Sequence, residues 1–247
     1  MLASDEYHWS LNPRARMAAI EAVLFDFGGT LDADGARWAV RFYENYRDAG
    51  GTTEFPAFEA SFRTTDRQLP QLPGITRMGF RAMVEAQTRL LLKLLADGAK
   101  IDGDRIAADF HDRSRETVRR NAPLLARLAD QWPLGVVSNF TGNLVHCLEE
   151  LELMPYFRVV LDSAVVGREK PDPHLFEMAR AAVGSSPAGT WMVGDNPEAD
   201  IRPALALGMR GCWLAELGRP TPPGLEPTAR IATLTELPAM LEARCTG

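Results

Sequence analysis

The chain has 247 residues and a formal net charge of −6, with 46% hydrophobic and 24% charged residues. This composition provides enough apolar side chains for one large domain, or for a core with a modest inserted domain. The acidic charge and the lack of a basic cluster argue against nucleic-acid binding, and no apolar stretch reaches the length of about 18 residues that a membrane span needs.

The N-terminal segment and the cysteines indicate the compartment. Residues 1–17 are polar and lack the apolar segment of a signal peptide, so we interpret them as an N-terminal tail. The three cysteines, Cys147, Cys212 and Cys245, are odd in number and form no CxxC pair. This pattern is typical of free thiols in a reducing compartment. We therefore expect a cytoplasmic protein.

Short apolar runs bounded by turn residues predict the strands of a buried sheet. The runs are continuously apolar, as expected when both faces of a sheet are covered. Helical patterns at 144–153, 173–183 and 201–207 alternate with them, which favours an α/β fold with a Rossmann-like, doubly wound parallel sheet. The predicted strands are 22–27, 134–140, 158–161, 190–194, 210–214 and 230–232.

Residues 34–120 contain no convincing strand and several helical patterns. Apolar residues at three- and four-residue spacing between positions 80 and 96 predict one amphipathic helix. Trp38, Phe42 and Tyr46 are four residues apart in an earlier helix, where they either face a substrate or pack against other helices. An all-helical insert after the first strand predicts a cap. The expected division is a core of residues 18–33 and 121–247 with a helical cap of residues 34–120.

Four polar clusters are predicted at the carboxyl ends of the strands, the edge where open α/β sheets bind ligands. Four such clusters in one chain are much harder to obtain by chance than a single polar residue at a strand end. The clusters are Asp26 to Thr30 after the first strand, Ser138 and Asn139 after the second, Gly194, Asp195 and Asp200 after the fourth, and Lys170 in the loop before a helix.

The residue types in these clusters suit phosphoryl transfer. The Asp26 carboxylate can attack phosphorus and form an aspartyl-phosphate. The backbone at Gly29 and Thr30 can approach a phosphate and offer N–H groups to it. Ser138 can donate a hydrogen bond to a phosphoryl oxygen, and Lys170 can neutralise charge that develops there.

The remaining polar residues at this edge suit a metal ion and a substrate. Asp195, together with Asp200, would help to hold Mg²⁺, which takes few protein carboxylates alongside a substrate phosphate. Asn139 is a candidate for substrate contact. Arg37 and Arg41 either bind a substrate anion or lie on a solvated helix face.

The ordered set of motifs resembles the haloacid dehalogenase (HAD) superfamily over about residues 20–240. Residues 26–31 resemble its nucleophile loop, 136–140 its Ser/Thr motif, Lys170-Pro171 its lysine motif and 194–200 its acidic motif, while the helical insert resembles its C1-type cap. The resemblance implies catalytic roles for Asp26, Ser138 and Lys170, a phosphate site that includes Gly29, Thr30 and Asn139, and Mg²⁺ held by Asp26, the carbonyl of Gly28, Asp195 and Asp200.

Gly28 departs from the pattern of the phosphatases in this superfamily. They have a second Asp at this place, which protonates the leaving oxygen and then activates water. General acid–base catalysis typically contributes about 10²–10⁴ in rate, so a poor leaving group would suffer most from its loss. Asp32 and Asp34 are nearby candidates for a replacement acid, although solvated turn residues are the simpler interpretation of both.

The sequence therefore predicts a Mg²⁺-dependent phosphohydrolase that acts through an aspartyl-phosphate on a small phosphorylated metabolite. Two alternatives stay open. One is carbon–phosphorus chemistry of the phosphonatase type, which needs a cap lysine, and the insert offers only Lys93 and Lys100. The other is a catalytically weak protein that keeps the fold and the phosphate pocket.

Overall fold

The computed structural model describes residues 19–245. Within this range, six parallel strands form one sheet with the order β3-β2-β1-β4-β5-β6, which confirms the predicted fold class. The strands are β1 Ala22–Phe25, β2 Leu134–Ser138, β3 Val159–Asp162, β4 Thr190–Gly194, β5 Arg210–Leu214 and β6 Ala229–Ile231.

Helices precede, connect and cover these strands, and none of them within residues 19–245 combines the length and the apolar character needed to cross a membrane. They are α1 Trp38–Asp48, α2 Phe55–Gln68, α3 Phe80–Leu94, α4 Gly103–Gln131, α5 Leu144–Glu150, α6 Ser163–Val166, α7 Pro173–Val183, α8 Arg202–Ala206 and α9 Leu237–Cys245.

The sheet is buried on both faces because its strand residues alternate between two apolar layers. Val23 and Phe25 belong to the larger core cluster, which also contains residues of α4, α5 and α9. Leu24, between them, belongs to the second cluster with Leu175 and Phe176 of α7. All four residues of β1 are buried, as the continuous apolar run predicts.

Predicted and observed boundaries agree best in the core. β4, β5 and α7 have the predicted bounds, whereas β1 ends at Phe25 because the chain leaves the sheet at Asp26. The predicted helix 201–207 is observed as the shorter α8, and a helical turn that was not predicted, Pro197–Ile201, precedes it. The predicted cap boundary at residue 120 falls inside α4, a 29-residue helix.

Aromatic side chains pack the four helices between β1 and β2 against one another. Phe42 of α1 stacks on Phe110 of α4 with a centroid separation of 4.2 Å and lies 5.3 Å from Phe62 of α2. Phe42 and Tyr46 are fully buried, which supports the packing interpretation for both. Trp38, one turn earlier on α1, is only partly buried.

Asp97 closes the loop between α3 and α4 through hydrogen bonds from α1 and the loop that follows it. The Tyr46 hydroxyl donates to Asp97 Oδ1 at 2.6 Å, and the Thr52 N–H and hydroxyl donate to Oδ2 at 2.7 and 2.8 Å. The hydrogen bond from Tyr46, followed by those from Thr52, lowers the pKa of Asp97 to about 2. In its ionised form, Asp97 therefore links the loop between α3 and α4 to Tyr46 of α1 and to Thr52 in the loop after α1.

We expect Asp97→Asn to lower the free energy of unfolding at neutral pH by about 1 kcal/mol, since the carboxylate is largely open to solvent screening. The folded-state pKa lies below the unfolded value, so this stabilisation is complete above about pH 4 and is lost as the pH falls toward 2. Urea titrations between pH 7 and pH 3 measure the free energy of unfolding of both proteins. The difference from wild type should shrink toward pH 3, and the exposed Asp130→Asn on α4 should show no such trend.

Candidate active site

Asp26 leaves the central strand in an extended conformation and enters a turn, Phe27–Leu31, that is interrupted at Gly28 and Gly29. Gly29 has a φ of 94°, and a Cβ at this position would lie 2.9 Å from the carboxylate of Asp195. Both the backbone conformation and the close approach therefore require glycine here. The turn consequently brings the chain of the nucleophile loop against the end of β4.

Lys170 lies between two carboxylates at the edge of the sheet. Its Nζ is 2.7 Å from Asp26 Oδ1 and 2.6 Å from Asp200 Oδ1. The Ser138 hydroxyl donates to the same Asp26 Oδ1 at 3.1 Å. Among the residues that the structure describes, Asp26 Oδ2 accepts a hydrogen bond from the Thr30 hydroxyl alone, at 3.5 Å. One oxygen of Asp26 is thus held firmly, while the other is the freer of the two.

Burial and mutual repulsion control the ionisation of this cluster. Burial alone would lower the pKa of Lys170, but the charges of Asp200 and Asp26 outweigh it and raise the pKa. Burial raises the pKa of Asp195 well above its ordinary value, and the charges of Asp26 and Asp200 raise it further. Burial also raises the pKa of Asp200, to about 6, against the attraction of Lys170.

Asp26, Asp195 and Asp200 each offer a carboxylate oxygen, and these atoms lie within 4.8 Å of one another. All three residues are buried, and Lys170 is the one cation hydrogen-bonded to their carboxylate groups within the part of the chain that the structure describes. A cation would relieve the repulsion that raises the pKa values of Asp195 and Asp200. Hard oxygen ligands at this spacing fit a divalent ion such as Mg²⁺.

Two of the predicted phosphate-site residues hold the site together in this structure. The Asn139 side chain accepts from the Lys170 N–H at 2.6 Å and donates to the Lys170 carbonyl at 2.9 Å. The Thr30 hydroxyl lies 3.3 Å from Asp195 Oδ1 and accepts from the Asp195 N–H at 3.1 Å. A direct contact of Asn139 or Thr30 with a substrate stays a prediction.

Asp32 is a buried anchor rather than a solvated turn residue. Its Oδ1 accepts from the Gly29 N–H at 2.8 Å, so this N–H, which the sequence assigns to phosphate, is occupied here. Its Oδ2 accepts from Trp38 Nε1 at 2.9 Å, from Arg41 at 2.8 Å and from the Ser114 hydroxyl at 3.1 Å. Four groups from the loop, α1 and α4 therefore meet at one carboxylate.

Asp34 is also engaged. It forms an ion pair with Arg120 and accepts hydrogen bonds from the Asn121 side chain and from the Leu234 N–H, both at 3.1 Å. The solvated-turn interpretation is therefore wrong for Asp34 as well as for Asp32. Neither carboxyl lines the cavity in front of Asp26, so the structure offers no support for either as a replacement acid.

A cavity of about 690 Å³ opens in front of Asp26. Its core side includes Asp26, Gly28, Ser138, Asn139, Lys170, Asp195 and Asp200. Its other side is formed mainly by side chains of α1 to α3 and the adjoining turns, among them Arg37, Trp38, Phe62, Asp66, Arg67, Leu69 and Met83. The four motif clusters thus meet at one cavity, as their positions in the sequence predict.

The amino-acid sequence also matches a known protein family, which is evidence independent of the site geometry. Residues 20–208 match the family of haloacid dehalogenase-like hydrolases. The chain belongs to this family. It is therefore a hydrolase of the HAD family, and the resemblance drawn from the motifs is confirmed.

Relatives of known name within the HAD family include phosphatases. Phosphoserine phosphatase of Thermus thermophilus is 32% identical over 216 residues, which is 77% of this chain and 87% of the relative. 5-Amino-6-(5-phospho-D-ribitylamino)uracil phosphatase YigB of Escherichia coli is 27% identical over 80% of this chain and 84% of its own length.

Solved structures share the fold. YfnB of Bacillus subtilis, a HAD-hydrolase described as bound to magnesium, superposes with a TM-score of 0.58 at 22% identity and covers 91% of this chain and 99% of its own. The L-2-haloacid dehalogenase RSc1362 gives a TM-score of 0.62 at 21% identity, with 91% and 100% covered. At this identity they establish the HAD fold alone.

Several cavity residues cannot be found from the HAD motifs. Asp66 and Phe62 lie one turn apart on α2 and both line the cavity. The side chain of Asp66 is exposed, but partial removal of its carboxyl from water raises its pKa. The positive charge of Arg67 lowers the pKa and offsets part of this effect. A four-residue spacing that includes an aromatic residue is the only sequence signal. Lys93 and Lys100 do not line the cavity.

Arg41 and Arg37 allow a matched test of the Asp32 anchor. Arg41 is buried beside Asp32, whereas Arg37, one turn away on α1, pairs with Glu59 at 3.2 Å near the surface. We expect Arg41→Met to lower the free energy of unfolding by about 3 kcal/mol, because it leaves a buried carboxylate without its cation. Arg37→Met should cost less than about 1 kcal/mol. Urea denaturation measures both, and equal losses would contradict the anchor role.

Proposed function

We propose that this HAD-family hydrolase is a Mg²⁺-dependent phosphohydrolase that acts through an aspartyl-phosphate at Asp26. The observation that carries the proposal is the position of Asp26, with Oδ1 held by Lys170 at 2.7 Å and by Ser138 at 3.1 Å, facing a cavity of about 690 Å³. The restrained oxygen fixes the orientation of the carboxylate and leaves Oδ2 to attack a phosphorus in the cavity.

The reaction has two steps, and both are displacements at the phosphorus atom. In the first, Asp26 Oδ2 forms a bond to phosphorus, and the bond from phosphorus to the leaving oxygen breaks with its electron pair on that oxygen. In the second, water attacks phosphorus, the bond to Oδ2 breaks, and phosphate and the free carboxylate are released with a proton from the water. Lys170 and the Ser138 hydroxyl are placed to stabilise negative charge on the transferred group.

Asp26, Asp195 and Asp200, with the carbonyl of Gly28, are the groups proposed to hold the ion. A bound Mg²⁺ would supply positive charge beside the phosphoryl oxygens and neutralise the buried carboxylates. The spacing of the three carboxylates within 4.8 Å and the raised pKa values of Asp195 and Asp200 support this assignment.

A small phosphorylated metabolite is the proposed substrate class. The relatives named phosphatases support it, since both are similar to this chain over more than three quarters of its length. The cavity is of the size that small-molecule sites have. Three arginines, Arg37, Arg67 and Arg219, line the cavity, and their positive charge favours a dianionic phosphate or a second anionic group.

The two alternative functions receive unequal support. Phosphonatase-type chemistry needs a lysine in the cap that reaches the substrate, and neither Lys93 nor Lys100 lines the cavity. A catalytically weak phosphate-binding protein is favoured by one observation, the absence of a side chain at Gly28 together with the engagement of Asp32 and Asp34. Measured turnover distinguishes it from the proposed function.

We expect Asp26→Asn to abolish phosphate release, to below about one thousandth of the wild-type kcat, because the amide cannot attack phosphorus. A substrate with ³²P in the phosphoryl group should label wild-type protein in a rapid acid quench and should leave Asp26→Asn unlabelled. Asp48→Asn, an exposed position on α1, is the matched control and should behave as wild type. Turnover by Asp26→Asn at the wild-type rate would refute the covalent route.

We expect Mg²⁺ to raise the Tm of the wild-type protein in the absence of substrate. At a hundredfold excess over Kd the stabilisation is about 2.7 kcal/mol, equivalent to roughly 5–10 °C for a domain of this size. The rise should disappear in Asp195→Asn and persist in Asp130→Asn on the surface of α4. An equal rise in Asp195→Asn, measured by calorimetry, would place the ion elsewhere.

A further inference from the structure

The indole of Trp38 lies where a side chain at position 28 would extend. A Cβ built on Gly28 would be 3.3 Å from Trp38 Cε2, 3.4 Å from Nε1 and 3.5 Å from Cζ2. The backbone of Gly28, at φ −76° and ψ 115°, is one that any residue adopts, so the constraint comes from the neighbouring ring alone. The glycine and the tryptophan therefore form a complementary pair.

This pair lies beside the reacting carboxylate. Gly28 is two residues after Asp26, and both have extended backbone angles. Asp26, Gly28 and Trp38 also line the same cavity. The ring thus borders the space in front of Asp26, where a leaving group would lie.

The indole is fixed in this position and offers no polar group to the cavity. Its N–H donates to the buried carboxylate of Asp32 at 2.9 Å. Four phenylalanine rings surround it in edge contacts, with centroid distances from 5.3 to 6.3 Å, namely Phe27, Phe80, Phe110 and Phe140. Movement of the ring would break the hydrogen bond and disturb these contacts, so we expect it to stay in place when substrate binds.

We propose, on the basis of the phosphohydrolase activity proposed above, that Trp38 is the wall against which the leaving group lies and that it selects phosphate esters with a planar, delocalised leaving group, such as aryl and enol phosphates. Delocalisation makes such groups flat, which suits packing against an indole. It also lets the leaving oxygen depart as an anion, with the electron pair of the broken phosphorus–oxygen bond spread over the group. No proton donor at position 28 is then required, and the anion takes its proton from water.

The first measurement compares leaving groups in the wild-type protein with Mg²⁺ present. We expect kcat/KM to be at least about 10²-fold higher for phenyl phosphate than for phosphoserine or glycerol phosphate, the lower end of what a general acid supplies. Equal values would overturn this inference while leaving the phosphohydrolase intact, and the carboxyl of Asp66 in the cavity wall would then be the first donor to test by Asp66→Asn. No hydrolysis of any phosphate ester would overturn both proposals.

The second measurement is a double-mutant cycle between Gly28→Asp and Trp38→Leu. With Trp38 in place, even the Cβ of a residue at position 28 lies 3.3 Å from the ring, a tight contact, so we expect the ring to hold an aspartate side chain away from the productive position. Gly28→Asp alone should then raise kcat/KM for phosphoserine by less than about tenfold. In the Trp38→Leu background the same substitution should raise it by about 10²-fold, since a proton donor now fits. A full gain from Gly28→Asp alone would show that the indole does not exclude an acid.

Two further variants separate selectivity from a loss of fold. Trp38→Phe keeps an aromatic wall and should retain most of the preference for phenyl phosphate, whereas Trp38→Leu should lose most of it. Trp132→Leu, a partly buried tryptophan at the end of α4 that does not line the cavity, should leave the ratio of the two kcat/KM values unchanged. Ratios within one folded variant do not depend on its stability. A preference that Trp38→Leu retains in full would overturn the inference.

Discussion

The buried ion pair of Lys170 with Asp26 and Asp200 is the constraint on which the rest of the structure depends. Removal of a single charge from water costs several kcal/mol, and three carboxylates with one lysine leave an excess of negative charge. The cluster persists because Lys170 is within 2.7 Å of both partners, and because the Ser138 hydroxyl and the Asn196 N–H donate hydrogen bonds to Asp26 Oδ1 and Asp200 Oδ2. The excess negative charge, in turn, makes the site receptive to a divalent cation.

The sheet supplies the rigidity that this cluster needs. Asp26 follows β1 and Asp195 follows β4, which are neighbours in the sheet, and Ser138 ends β2 on the other side of β1. Parallel strands bring their carboxyl ends to one edge, so groups 112 and 144 residues from Asp26 in the chain reach hydrogen-bonding distance. The two hydrogen bonds of Asn139 fix the backbone of Lys170. Only the side-chain torsions of the lysine must then be ordered when it pairs with the carboxylates.

The sequence predicts the core and the motif residues but not how the helical insert meets them. The apolar runs, the helical patterns and the four polar clusters are local in the sequence. The first two predict the bounds of β4, β5 and α7 correctly. The burial of Asp32 does not, because nothing in a run of Asp, Ala, Asp and Gly distinguishes an anchor from a turn. Its partners Arg41 and Ser114 are 9 and 82 positions from Asp32 along the chain, farther than a local turn pattern reaches.

Trp38 shows the same limit at a single position. The four-residue spacing of Trp38, Phe42 and Tyr46 predicts one apolar face, yet the structure divides it: Phe42 and Tyr46 are fully buried in the helical packing, and Trp38 lines the cavity. In the sequence, Gly28 indicates only the loss of a proton donor. In the structure, the missing side chain at Gly28 leaves space for the Trp38 ring, which lines the cavity beside Asp26. A change in a catalytic motif therefore has to be interpreted together with the side chain that fills the space it leaves.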